Sequence, residues 1–128
     1  MNKPLSERVA VVTGAGRGLG RVIAIAYARE GARGWICSRT EHELEKTTEL
    51  IRSDNGWVES RSMDIGDPSA SEAFIAEVHE ESGPVDVLVN NAAILRLTPV
   101  DALSTEEWSQ VIAVNLTAPF FLTKLVLP

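Results

Sequence analysis

Thr13 to Gly20 reads Thr-Gly-Ala-Gly-Arg-Gly-Leu-Gly and stands between two segments of opposite character. Before it, Val9-Ala10-Val11-Val12 has the length and β-branched content of a buried strand. After it, Arg21 to Glu30 is rich in Ala and Ile and reads as a helix. A glycine turn in this setting lets backbone N–H groups face an anion. The partial positive charge at the helix N-terminus adds to the attraction. The first expectation is therefore a cradle for the phosphates of a dinucleotide.

The rest of the chain repeats the alternation. Arg8 to Thr13 is the first strand and Gly18 to Gly31 the first helix, with Val22, Ile23, Ala26 and Tyr27 at helical spacing. Ala32 to Ser38 is the second strand. Thr40-x-x-Glu43 has the spacing of a capping box, and Leu44, Thr47, Leu50 and Ile51 make one face of the helix it opens. Asn55-Gly56 ends that helix, and Trp57 to Met63 is the third strand. Asp67-Pro68 reads as an N-cap with proline at the first helical position, ahead of Phe74, Ile75 and Val78. Gly83-Pro84 closes this third helix, and Val85 to Val89 is the fourth strand. Ser104-x-x-Glu107 opens a last helix carrying Trp108, Val111, Ile112, Leu116 and Phe120.

A β-α-β-α-β-α-β-α order implies a parallel sheet covered by helices on both faces. The expected fold is an α/β, Rossmann-like, three-layer, doubly wound sheet. Residues 1–128 are its first part in a single domain, stopping after the fourth strand and the helix that follows. Right-handed crossovers give the strand order 3-2-1-4. The first and fourth strands are then neighbours. The glycine stretch and Asn90-Asn91-Ala92-Ala93 both leave the sheet at the crevice between them.

Charge and composition exclude several function classes. A net charge of −6 on 128 residues argues against nucleic-acid binding, which needs clustered Lys and Arg. No uninterrupted apolar run reaches membrane-spanning length, and the N-terminus lacks the apolar core of a signal peptide. Cys37 is the single cysteine, so no internal disulfide is possible, which fits a cytoplasmic chain. His42 and His79 have no partner at metal-ligand spacing, and no metal site is expected. Trp35, Trp57 and Trp108 read as packing residues.

The glycine stretch departs from G-x-G-x-x-G, because Leu19 stands where the third glycine would be. It fits T-G-x-x-x-G-x-G through Thr13, Gly14, Gly18 and Gly20, with Gly16 and Arg17 inside the turn. That spacing resembles the short-chain dehydrogenase/reductase family. Asn90-Asn91-Ala92-Ala93 is similar to the family's N-N-A-G, with Ala93 in place of the last glycine. Asp64 after the third strand and Asn115 in the last helix also match, in the family's order. The resemblance implies an oxidoreductase that passes hydride between a nicotinamide cofactor and a carbonyl or secondary alcohol, 3-oxoacyl thioesters among them. It implies that Thr13 hydrogen-bonds the turn after the fourth strand. Asp64 would meet the adenine with Ile65 covering the ring, and Ala92 and Ala93 would leave room for the ribose. It also implies a homo-oligomer packed through the last helix.

Two readings refine this. The second strand ends at Ser38-Arg39 with no carboxylate for a ribose 2′-hydroxyl, while Arg39 and Arg17 can pair with a 2′-phosphate. NADP(H) is expected over NAD(H). Pro119 has no N–H for the carbonyl of Asn115, so the helix is expected to kink and release that carbonyl. The resemblance gives Asn115 a catalytic role through a water held there. The family's chemistry also uses a tyrosine, a lysine four residues later and an upstream serine. Here the one tyrosine is Tyr27, with Gly31 four residues on. The 128 residues alone are expected to bind cofactor without turnover. The alternatives are a non-catalytic dinucleotide-binding module and a non-functional fragment.

Overall fold

The computed structural model describes residues 3–128. Four parallel strands alternate with helices: β1 (Val9–Thr13), α1 (Gly18–Arg29), β2 (Arg33–Ser38), α2 (Glu41–Ser53), β3 (Trp57–Ser62), α3 (Pro68–Ser82) and β4 (Val87–Val89). α4 (Thr105–Ile112) then runs through a π-helical turn, Ala113–Thr117, into α5 (Ala118–Val126). The sheet order is β3-β2-β1-β4, as the crossover rule predicts.

The strands' period of two divides the core into two layers. Val9, Val11, Trp35 and Cys37 face one side, against Phe74, Ile75 and Val78 of α3 and Ala118 and Leu122 of α5. Val12, Ile36 and Val58 face the other, against Ala24 and Ala28 of α1 and Leu44 and Ile51 of α2. Trp35 is fully buried, and its indole N–H donates to Ser82 Oγ at 2.9 Å, so its polar edge is satisfied.

β1 pairs with β2 from Val9↔Arg33 to Thr13↔Cys37, and with β4 through Ala10↔Val87, Val11↔Leu88 and Val12↔Val89. Asp86 fixes the start of the second pairing. Its Oδ2 accepts the Val9 N–H at 2.8 Å, its own N–H donates to the Val9 carbonyl at 2.8 Å, and Oδ1 lies 3.3 Å from Arg8 Nη1. β1 and β4 therefore end side by side, and the loops that follow them meet.

Some helix faces differ from the sequence reading. α1 buries Gly20, Ala24 and Ala28, while Val22 is exposed. The helix lies too close to the sheet for large side chains, so its larger residues sit on the flanks. On α2 Thr48 is buried and Leu50 is at the surface. Trp108, Leu116 and Phe120 are exposed, and Val114, Ala118 and Leu122 take the buried face instead. At the expected kink the helix continues, because the turn widens: the Ala118 N–H reaches back to the Ala113 carbonyl, and Pro119 follows inside α5.

The expectation about apolar length also changes. Thr105–Val126 forms one helical stretch of 22 residues, and an 18-residue window of it has mean hydropathy 1.3, long and apolar enough by those measures to cross a membrane. Asn115 and Thr117 interrupt the apolar run in sequence but not the helix. One flank of the stretch is packed into the core through Val114, Ala118 and Leu122, the placement of a sheet-covering helix.

Candidate functional site

Between the ends of β1, β2 and β3 and the loop after β4 lies a cleft of about 350 Å³. Its walls include Gly14, Gly16, Arg17 and Gly18 from the glycine turn, Ser38 and Arg39 from the end of β2, Asp64 and Ile65 after β3, and Asn91, Ala92 and Ala93 after β4. Eleven of the sequence candidates thus share one space.

The glycine turn and the β4 turn are locked together. The buried Thr13 hydroxyl accepts the N–H groups of Asn91 at 3.1 Å and Ala92 at 3.0 Å. It also reaches the Val89 carbonyl at 3.4 Å. Asn91 Nδ2 donates back to the carbonyls of Thr13 at 3.2 Å and Gly14 at 3.1 Å. Contact is close enough that a Cβ on Gly14, whose φ is +64°, would come 2.8 Å from Ala92 Cα. A Cβ on Gly20 would strike the Gly14 carbonyl. Each glycine serves a different contact, one allowing the turn and the other the seating of α1.

Inside the turn, carbonyls are held on the α2 side. Thr47 Oγ1 donates to the Ala15 carbonyl at 2.8 Å, and Arg21 Nη2 donates to the Gly16 carbonyl at 2.5 Å. Arg21 Nε in turn donates to Thr47 Oγ1 at 2.9 Å. Arg17, at the N-cap of α1, makes no side-chain cap, and the first turn of the helix carries no acidic residue. The opening N–H groups of α1 are thus left for an acceptor outside the helix, beside a glycine turn that keeps side chains out of the way. These features fit the phosphates of a dinucleotide.

Four sequence candidates besides Asn115 lie off the cleft wall. Leu19 is exposed, and Gly20 and Thr13 act behind the surface as structural contacts. Asn90 does not join Asn91 in bridging the turns. Its side chain instead points to Thr123 Oγ1 on α5, at 3.5 Å. Successive residues at a strand end face opposite sides of the sheet, so only one of the two asparagines can reach β1.

Asn115 also stands outside the wall, yet it shapes it. Its Oδ1 accepts the Ile94 N–H and its Nδ2 donates to the Ile94 carbonyl, both at 2.8 Å. This paired contact fixes the loop after β4 to the π turn, and Ile94 lines the cleft. Asp64 holds its own loop, with Oδ1 accepting the Gly66 N–H at 2.8 Å. Ile65 is 7% exposed and belongs mainly to the core, leaving an edge in the cleft.

Several lining residues carried no sequence signal for the site: Met63, Ile94 and Val114 had none, and Thr40 and Glu43 read only as a capping box. Glu43 matters most. The Thr40-x-x-Glu43 capping box does not form: Thr40 is the N-cap by backbone, without a side-chain bond. Glu43 Oε2 lies instead 3.5 Å from Arg17 Nε. Thr47 did carry a signal, as a polar residue on an otherwise apolar helix face. Arg21 carried none. Among the described residues no group of His, Cys, Asp and Glu could hold a metal ion.

Cys37 is fully buried beneath the turn, and burial pushes its thiol up to about 12, with a Gly14 backbone hydrogen bond acting the other way. The proton stays on sulfur at neutral pH, so iodoacetamide is expected to label only unfolded chains. Native-state labelling at the rate of a free thiol would contradict this. The sign of the pH effect follows from linkage. The unfolded thiol ionises near 9.0 and the folded one near 12. Its stabilising contribution is whole below pH 9.0 and is lost as pH rises towards 12, a slope that Cys37→Ala should flatten.

Comparison with known proteins places these features. The family model for short chain dehydrogenases matches residues 8–128. A short chain dehydrogenase/reductase, dpmpG, of Macrophomina phaseolina is 39% identical over 125 residues, covering 96% of this chain and 71% of its own. A metagenomic short-chain oxidoreductase solved with NADP superposes with a TM-score of 0.90 at 38% identity, over 94% of this chain and 55% of that one. An actinorhodin polyketide ketoreductase variant solved with NADPH gives 0.88 at 38% identity, over 95% and 48%. Other curated relatives are matched over 41–47% of their length, so the chain spans under half of most of them.

Proposed function

The chain belongs to the short chain dehydrogenase family, and from that premise we propose that residues 1–128 are the cofactor-holding first part of the single dinucleotide-binding domain of an NADP(H)-dependent oxidoreductase. The observation that carries the choice of cofactor is the cleft rim. Arg17 and Arg39 both line it, and β2 ends in Ser38 and Arg39 with no carboxylate at that point. Guanidinium groups pair with a 2′-phosphate in planar, charge-assisted contacts. Two structural relatives at 38% identity were solved with NADP and NADPH, which supports the same choice.

In this reading each residue binds or orients. The uncapped N-terminus of α1 and the turn from Gly14 to Gly18 receive the pyrophosphate. Asp64 accepts from the adenine amino group beside Ile65, and Ala92 and Ala93 leave space for the second ribose. Asn115 keeps the Ile94 loop in register with the cleft and helps to hold water near the reacting carbon. When bound, the nicotinamide exchanges a hydride with a carbonyl or secondary alcohol, with 3-oxoacyl thioesters as candidate substrates. Tyr27 takes no part, being packed against the α1 and α2 side of the core. The proton donor would come from the length of the relatives that this chain does not span. The exposed Trp108, Leu116 and Phe120 on the α4–α5 stretch suit contact with another copy of the protein. A reducing, cytoplasmic setting goes with the unpaired Cys37.

Calorimetric titration tests the cofactor choice. NADPH is expected to bind more tightly than NADH, and Arg39→Asp should weaken NADPH by about tenfold or more while sparing NADH. Equal affinities that Arg39→Asp leaves unchanged would overturn it.

A further inference from the structure

Of the two carboxylates that line the cleft, Asp64 has a place in the cofactor assignment and Glu43 has none. Glu43 stands on the first turn of α2, with its side chain 24% exposed and its Oε2 3.5 Å from Nε of Arg17, which is 84% exposed. It sits in the corner formed by the glycine turn and the end of β2. A Cβ on Gly16 would meet Ser38 Oγ at 2.8 Å and Glu43 Cβ at 3.1 Å. We propose that Glu43 is a specificity-determining residue that lowers the site's preference for a 2′-phosphorylated dinucleotide. This rests on the NADP(H) reading of the rim.

Two effects act in the same direction. First, Glu43 engages the arginine that a 2′-phosphate would use. An ion pair this exposed is weak, so a phosphate of greater charge can displace it, but at some cost in affinity. Second, a phosphate that pairs with Arg17 lies within one Debye length of the Glu43 carboxylate, and like charges at that range repel. NADH meets neither effect. Its ribose 2′-hydroxyl is uncharged and can donate to a carboxylate or an amide oxygen alike. Glu43 therefore weighs on one nucleotide and not on the other.

Glu43→Gln keeps the shape and removes the charge. Titration of the full chain with NADPH and NADH is expected to show NADPH tightening by about fivefold and NADH changing by less than about twofold. The gain should shrink as salt is raised. A structural role alone would move both nucleotides together and would be insensitive to salt. An unchanged ratio, or an equal change in both, overturns the inference. Glu43→Ser supplies the same comparison should the Gln variant unfold. If the unaltered chain prefers NADH or binds neither nucleotide, the NADP(H) reading fails and this inference with it. If it prefers NADPH and the ratio does not move, only the role of Glu43 fails.

Discussion

Gly20→Ala is expected to lose nucleotide binding by about a hundredfold or more and to lower stability by about 3 kcal/mol. The added Cβ would overlap the backbone carbonyl of Gly14 and stand 2.5 Å from Asn91 Nδ2. A flexible side chain could yield, but here the obstacle on one side is main chain. The first turn of α1 must move away from the glycine turn, or the glycine turn away from β4. Either shift displaces the N–H groups that face the cleft. Gly18→Ala is the control. Its φ is +56°, yet nothing lies within 4 Å of an added Cβ, so only backbone strain of about 1 kcal/mol is at stake. Thermal denaturation and calorimetry on both variants check this. A Gly20→Ala protein no worse than Gly18→Ala would show that α1 is not seated as described.

Thr13→Val should cost about 1–3 kcal/mol, although it conserves volume in a residue only 1% exposed. The loss lies chiefly in the Ala92 N–H, because of the two amides that converge on the hydroxyl that of Asn91 also donates to the Val89 carbonyl at 3.0 Å. Valine offers the Ala92 N–H no acceptor, and an amide left unpaired out of water costs about 1–3 kcal/mol. Thr13→Ser keeps the oxygen and gives up a methyl, so it should retain most of the stability and the nucleotide affinity. Denaturant midpoints at constant slope separate the two variants. A valine variant as stable as the serine variant would mean that the lock between the turns contributes nothing.

Two identical patterns show what a sequence can and cannot disclose. Ser104-x-x-Glu107 and Thr40-x-x-Glu43 both have capping-box spacing. The first closes as expected, with the Glu107 N–H donating to Ser104 Oγ at 3.1 Å and the Glu107 carboxylate accepting the Ser104 N–H at 3.3 Å. The second stays open: the Thr40 N–H donates to Ser38 Oγ at 3.2 Å, and Glu43 faces Arg17, distant in sequence. Local chemistry was sufficient where nothing competed with it. Asp67-Pro68 caps α3, accepting the Ser69 N–H at 3.0 Å, and Asn55, at φ +62°, lies just past α2. The strand order was legible too, since alternating elements and one crossover hand leave few arrangements.

The misreadings have separate physical causes. Hydrophobicity chose Val22 over Ala24 for the buried side of α1, but the distance between helix and sheet is set by Gly20, and it admits only small residues. Asn90 and Asn91 look equivalent in sequence until the strand's alternation assigns them to opposite faces. Arg21 was invisible because its partners, Thr47 and the Gly16 carbonyl, come together only after α1 and α2 have packed. For Arg21 the deciding neighbour, Thr47, is remote in the chain.

The pairing of β1 with β4 has a kinetic side. The contacts that lock the two turns join residues 76 to 79 apart in the chain, so they come late in any sequence of events that gains local contacts first. Closing so long a loop is entropically costly and is rewarded only once Asp86, Thr13 and Asn91 have found their partners. Without β4 in place the cleft lacks the wall formed by Asn91, Ala92, Ala93 and Ile94. A dinucleotide would then bind the finished structure alone and stabilise it by mass action, by about 2.7 kcal/mol at a hundred times its dissociation constant. Its imprint should fall on the rate of unfolding and leave the rate of folding unchanged.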